Sequence, residues 1–435
     1  MKRSSLFQKL FAFCGLILLL VQTSNAQTNK TKRSFIPDSS IRKETVKQLD
    51  LKDVFNNLFS VRHRETIAEA PDSGLVFKPL AHPVIQADSL LAKPGKILFA
   101  PFPAVGYTLQ TGVTAILATN LSFYTAKKDS TNLSSIALNS AISLTYPQVL
   151  LPLIFSIWSP QNKYNFLGDC RYYKYPTYTY GLGGHTSLSD ADNVDYSYIR
   201  VYQEVLRKIS HSDFYAGLGY NLDYHFNISE TEMGKDFNAY NGNATKTTSS
   251  GLVANVLYDS RKNTNYPENA TYISLSYRHN TTLLKSDQNW QSVCLDFRKF
   301  INLSPSSTNV LAFWSLDWFT FGKAPYFDLP STGWDSNSNT GRGYIQSRLR
   351  GPGMLYVESE YRFGITKNGL FGGVVFANAE SISEWGSKRF ETILPGYGLG
   401  ARIKINKTSN VRLALDYGFG AENSQGLFFN VSEIF

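Results

Sequence analysis

Between Ile97 and Phe435, apolar and polar residues alternate one for one over stretches of ten or more residues, and this pattern returns again and again. A period of two places neighbouring side chains on opposite faces of an extended strand. In one stretch Phe214, Ala216, Leu218, Tyr220, Leu222, Tyr224 and Phe226 face away from Tyr215, Gly217, Gly219, Asn221, Asp223 and His225. Leu355, Val357, Tyr361, Phe363 and Ile365 likewise oppose Tyr356, Glu358, Glu360 and Arg362, and Val411, Leu413, Leu415, Tyr417 and Phe419 oppose Arg412, Ala414, Asp416, Gly418 and Gly420. Strands in soluble sandwiches average about 5 to 6 residues, and a sandwich built from these would leave broad aromatic faces in water. Strands of about 9 to 11 residues, apolar outside and polar inside, define a transmembrane antiparallel β-barrel. Hydrocarbon offers a backbone no hydrogen-bond partner, so a sheet spans it only by closing on itself.

Composition agrees with an all-β membrane fold. Asp, Glu, Lys and Arg make up 18% of the 435 residues, against roughly 25% in soluble domains. Tyr 26, Phe 29 and Trp 6 raise the aromatics to 14%, as the interfacial girdles of a barrel require. The only long apolar run is Leu10 to Val21, which excludes a multi-span helical protein. With 43% hydrophobic residues the chain is not intrinsically disordered.

That apolar run belongs to residues 1–26, which read as a signal peptide: Lys2, Arg3 and Lys9 precede it, and Ser24-Asn25-Ala26 offers a small-x-small cleavage site. Cys14 raises a lipoprotein signal as the rival reading, but the apolar run continues beyond it. Export and barrel together imply a Gram-negative outer membrane. Cleavage near Ala26 removes three basic and no acidic residues, taking the formal charge from +9 to +6. The remaining excess is dispersed, which suits anionic lipid headgroups better than nucleic acid. Cys170 and Cys294 are either one bridge or two free thiols.

Residues 27–96 form a charge-rich leader. In it Leu51, Val54, Phe55 and Leu58 fall at i, i+3, i+4 and i+7, the face of a short amphipathic helix. It is either part of a loose tail or a helix that docks on a partner, the membrane interface or the lumen. Pro71, Pro79, Pro83 and Pro94 then mark a linker. Residues 97–435 divide into segments near 97–108, 112–124, 134–145, 148–158, 163–174, 194–208, 213–226, 248–259, 270–280, 289–302, 308–322, 352–364, 370–380, 396–406, 409–419 and 426–434. That predicts sixteen strands, or fourteen if the Pro147- and Pro152-containing region fails to pair.

The connection 323–351 is unusual, because Gly341-Arg342-Gly343-Tyr344 and then Arg348 and Arg350 crowd into it. Glycines permit close backbone approach, and an arginine among them reaches carboxylates with a fork of donors. Folded inward, such a loop is expected to pin itself by pairing Arg342 with Glu360 on the next strand. These features resemble the BamA/TamA-type outer-membrane assembly proteins, the bacterial surface antigen family. Their sixteen-stranded barrels carry an inward loop after the eleventh strand with an Arg-Gly-aromatic signature, matched here by Arg342, Gly343 and Tyr344. A glutamate before an aromatic follows, as in Glu360-Tyr361. The family's next strand carries Phe-x-Asp, where this chain has Phe376-Ala377-Asn378, so Asn378 departs from the pattern and leaves Arg342 one expected anionic partner. Gly426, Phe429 and Val431 look like the C-terminal signal of assembled barrels, with Phe435 in phase. POTRA modules, which the family carries ahead of its barrel, are not apparent in 27–96.

No catalytic chemistry is expected. The six histidines show no H-E-x-x-H spacing, and no G-x-S-x-G elbow or phosphate-binding loop occurs. No metal or cofactor is expected either. His225 beside Asp223 reads as part of a polar lumen network, and Glu358, Arg362, Arg402, Lys404, Arg412 and Asp416 read as charges wetted in a hydrated lumen. The resemblance implies an assembly or translocation factor that opens a seam between its first and last strands. Its expected partners are outer-membrane lipids, unfolded outer-membrane proteins and a separate periplasmic or POTRA-bearing protein. The alternatives are a passive channel or solute transporter and a surface-binding barrel.

Overall fold

The computed structural model describes residues 48–51, 53–54 and 97–435, the latter apart from 109–111, 128–129, 146, 211, 231–239, 241–243, 304–308 and 337. The signal peptide, the linker, and Phe55 and Leu58 of the expected helix lie outside the described residues. The strands are β1 (Leu98–Thr108), β2 (Gly112–Phe123), β3 (Ser134–Ser143), β4 (Val149–Trp158), β5 (Tyr164–Lys174), β6 (Thr177–Thr179), β7 (Asp192–Lys208), β8 (Phe214–Glu230) and β9 (Lys246–Asp259). They continue as β10 (Thr271–Asn280), β11 (Trp290–Asn302), β12 (Val310–Gly322), β13 (Gly353–Gly364), β14 (Phe371–Ile382), β15 (Leu394–Asn406), β16 (Val411–Gly420) and β17 (Gln425–Val431). The seventeenth strand relative to expectation is β6, which continues β5 past Pro176 along the same partner: Lys174 pairs with Ser197 and Thr177 with Val194. Sixteen long strands remain, and both β3 and β4 pair despite the prolines.

The sheet is an antiparallel meander in which each long strand pairs with the next, from Leu98↔Ser122 in β1–β2 to Leu413↔Val431 in β16–β17. The alternation sorts as expected. Outward positions expose large apolar groups, Leu218 at 71%, Leu252 at 61% and Leu399 at 61%, an arrangement stable only against lipid. Inward positions, Asn221, Asp223 and His225 on β8, Glu358 on β13 and Asp416 on β16, are buried.

The interior is packed. A cluster of Trp314, Tyr344, Leu349, Met354, Tyr356, Ile434 and Phe435 shows that the connection from β12 to β13 and the residues after β17 both enter the lumen. The wetted lumen expected for Glu358, Arg362, Arg402, Lys404, Arg412 and Asp416 is therefore corrected, for Arg412 is half-buried and the other five are buried. Strand phase fixes the face a residue points to, but not what fills the space in front of it.

Both ends of the barrel chain lie at one rim, with the turns 209–213, 365–370 and 407–410; the opposite rim carries the longer loops, including 323–352. At the short-turn rim sits the described start of the leader helix. Asp50 and Asp53 cap it reciprocally, the Asp53 amide donating to Asp50 Oδ1 at 3.0 Å and the Asp50 amide to Asp53 Oδ2 at 3.2 Å. The Leu49 amide donates to the Asn368 carbonyl at 3.1 Å, Lys407 Nζ meets Asp53 at 2.7 Å, and Lys404 Nζ donates to Gln48 at 2.9 Å. The helix start thus rests on the barrel rim.

Candidate functional site

The loop 323–352 lies on a bed cut into β15 and β16. The inward face of β15 reads Gly396, Gly398, Gly400 before Arg402, and that of β16 ends in Gly418 and Gly420. A Cβ on Gly418 would stand 2.7 Å from the Gly343 nitrogen, and one on Gly343, whose φ is +110°, would stand 2.6 Å from the Phe419 carbonyl oxygen. Both positions need glycine because two backbones touch there. Tyr344 locks the contact: its hydroxyl donates to the Pro395 carbonyl and accepts the Ala421 amide at 2.8 Å.

Arg342 is fully buried and bonded to three carboxylates. Its Nε donates to Glu358 at 3.3 Å, its Nη1 to Asp416 at 2.6 Å, and its Nη2 to both Glu358 and Glu360. The guanidinium also lies 3.7 Å from the centre of the Phe376 ring. Burial alone would lower its pKa, but Glu358, Glu360 and Asp416 together raise it, so the cation is permanent. The single expected partner, Glu360, is thus one of three, and the departure at Asn378 has a reason. Asn378 Nδ2 donates to the Arg342 main-chain carbonyl at 2.9 Å, a bond that an ionised aspartate could not make. The other two loop arginines go elsewhere: Arg348 to Thr186 at 2.9 Å and Glu422 at 2.9 Å on the long-loop rim, Arg350 to the Tyr326 carbonyl at 3.1 Å.

Asp416 and Glu360 extend the network. Arg402 pairs with Asp416 and, at 2.8 Å, with Glu433; Arg362 pairs with Glu360 at 2.7 Å. Sequence reasoning placed Glu358 and Asp416 on the inward face but missed them as partners of Arg342, and it missed Glu433. The alternating glycines of β15 were the available signal, since an inward face without side chains requires something else to fill it.

A second cluster sits on the opposite wall. Asp223 accepts from Tyr198 at 2.5 Å, Tyr202 at 2.6 Å, Arg200 at 3.2 Å and Arg278 at 2.5 Å. His225 does not pair with Asp223; its ring stacks on Tyr198 at 4.4 Å and its Nδ1 lies 4.0 Å from Asp328. Cys170 and Cys294 are both free thiols. Beside this cluster is a chamber of about 440 Å³ whose lining includes Asn165, Asn255, Ser274, Ser292 and Arg298. Among the described residues no group of His, Cys, Asp or Glu is placed to hold a metal ion.

At the edge of the sheet, β1 is laddered to β2 over its full length and β17 to β16 over seven residues. β1 and β17 approach each other, yet among the described residues no backbone pairing joins them. Gly426, Phe429 and Val431 lie on β17 opposite Gly418, Leu415 and Leu413. Phe435 does not continue the strand as its phase predicts: β17 stops at Val431, Ser432 takes a φ of +83°, and Phe435 is buried in the lumen 5.2 Å from Trp314.

No family model matches this chain, and no curated protein matches it. Among solved structures it is similar in fold to CdiB from Escherichia coli, with a TM-score of 0.50 and 9% identity over 77% of this chain and 62% of that one. CdiB from Acinetobacter baumannii gives 0.49 and 14% identity over 77% and 59%, and BamA from Haemophilus ducreyi lacking POTRA domains 1–3 gives 0.48 and 14% over 77% and 70%. The chain spans less than two thirds of either CdiB chain. The likeness is one of fold: an antiparallel barrel of the outer-membrane kind.

Proposed function

We propose that the chain is an outer-membrane protein that helps to insert or translocate other proteins through the seam between β1 and β17. The observation that carries this reading is the seam itself. Every other long strand is laddered on both sides, so among the described residues the wall has one place where neighbouring strand edges share no ladder and can template an incoming strand. The belt of exposed apolar side chains supports an outer-membrane location, and the short-turn rim, with the leader helix, then faces the periplasm. The lumen loop, held by Arg342 with Gly343 and Tyr344 against Glu358, Glu360 and Asp416, braces the wall beside the seam. Free energy comes from the substrate burying its own apolar face and backbone, so the work needs neither an active site nor a cofactor. A separate periplasmic or POTRA-bearing protein delivers the substrate.

The test is quantitative proteomics of the outer membrane after depletion. Many unrelated barrels should fall together while periplasmic chaperones rise; unchanged barrel levels sink the reading. The polar chamber favours a second reading, a channel for small solutes. Conductance steps in a planar bilayer that enlarge with Arg342→Ala would support it.

A further inference from the structure

We propose that the lumen pocket formed by Phe300, Trp314, Arg362, Arg402 and Arg412 is a peptide-binding site for an acidic–aliphatic–aromatic segment, filled here by the chain's own Glu433-Ile434-Phe435. The inference goes beyond the assembly reading and holds equally for a channel.

The segment makes contacts of the kind a bound peptide makes. At its entry the Ser432 amide donates to the Arg412 carbonyl at 2.7 Å and the Glu433 amide to the Asn265 carbonyl at 3.2 Å. Glu433 draws guanidinium groups from three strands, Arg402 at 2.8 Å and Arg362 and Arg412 at 3.8 Å each. The Ile434 carbonyl accepts from Asn339 Nδ2 of the lumen loop at 2.8 Å, and the Phe435 carbonyl accepts from Arg362 Nη2 at 3.0 Å. The Phe435 ring lies 5.2 Å from Trp314 and 6.1 Å from Phe300, with the Arg362 guanidinium 5.0 Å from its centre.

The pocket is incomplete without such a segment. Arg342, Arg362, Arg402 and Arg412 meet Glu358, Glu360, Asp416 and Glu433 in buried ion pairs, and removing Glu433 leaves four cations facing three acids. A buried excess charge is strongly unfavourable, so the empty pocket calls for an anion. Arg362 Nη1 and Arg412 Nε also point inward without a hydrogen-bond partner, as spare donors. A route exists, because Ser432 to Phe435 border the 440 Å³ chamber and can leave into it. With these residues in the pocket, β17 ends at Val431.

The probe is the fluorophore-labelled, C-terminally amidated peptide Ser-Glu-Ile-Phe. A chain stopped after Val431 should bind it saturably, the same peptide with Gln for Glu should bind more than about tenfold more weakly, and the full chain should bind it far less. A truncated chain that keeps its heat-modifiable compact form but binds neither peptide, or both alike, overturns the proposal. A second measurement needs no variant: in the full chain, excess unlabelled peptide should speed hydrogen exchange at the Ser432 and Glu433 amides, whose bonds to the Arg412 and Asn265 carbonyls are lost on displacement. Unchanged exchange at saturating peptide overturns the proposal whether or not the truncated chain folds.

Discussion

The two buried charge clusters are built in opposite senses. On one wall the hub is an acid of β8, Asp223, met by two arginines and two tyrosines from β7 and β10. On the other the hub is a cation, Arg342, met by three acids from β13 and β16, two of which also pair with Arg362 and Arg402, and the hub arrives on a loop. The first cluster is made by strands that are close neighbours in the ladder, so it stiffens wall against wall. The second cannot form until 323–352 has folded into the lumen, so it fastens a loop to a wall already made. Similar chemistry thus serves a local purpose in one place and a long-range one in the other.

That contrast can be broken from the loop side first. Arg342→Ala should cost about 3 to 5 kcal/mol, since it leaves Glu358 buried without a cation and leaves Glu360 and Asp416 with only Arg362 and Arg402. Limited proteolysis should then cut within 323–352 while the outer wall stays heat-modifiable; an uncut loop would show that Tyr344 and the glycine bed suffice. Asp223→Asn should cost about 2 to 3 kcal/mol through weakened charge-assisted bonds. Here hydrogen exchange should rise in β7, β8 and β10 with no new cleavage in the loop, and cleavage there would mean that the clusters are coupled. The smallest effect, about 1 to 2 kcal/mol, belongs to Asn378→Asp, which removes the donor to the Arg342 carbonyl. A thermal melt of this variant sharpens the comparison, because a gain in stability would mean that Arg342 still lacks negative charge.

The wall was legible in the sequence and its contents were not. Alternation such as Phe214 to Phe226 announces a strand and its faces, because a period of two is a local property. Asp416 shows the limit: its inward phase is plain, but that Arg342 reaches it depends on a loop seventy-four residues earlier in the chain folding onto the β15 glycines. Asn378 shows another, since a departure that looked like a lost carboxylate is a gained amide donor. Phe435 shows a third. It keeps the period of β17, and only the left-handed backbone at Ser432 turns it inward, a conformation that no pattern of hydrophobicity encodes.

The capped helix start on the rim has a mechanical meaning. Lys407, which holds Asp53, belongs to the turn between β15 and β16. Tension applied through the leader would therefore load the hairpin next to the edge strand rather than the edge strand itself. Part of a pull from the N-terminal side would reach β17 as a shear passed along its ladder with β16, and part would enter the turn after β13 through the Leu49 to Asn368 bond.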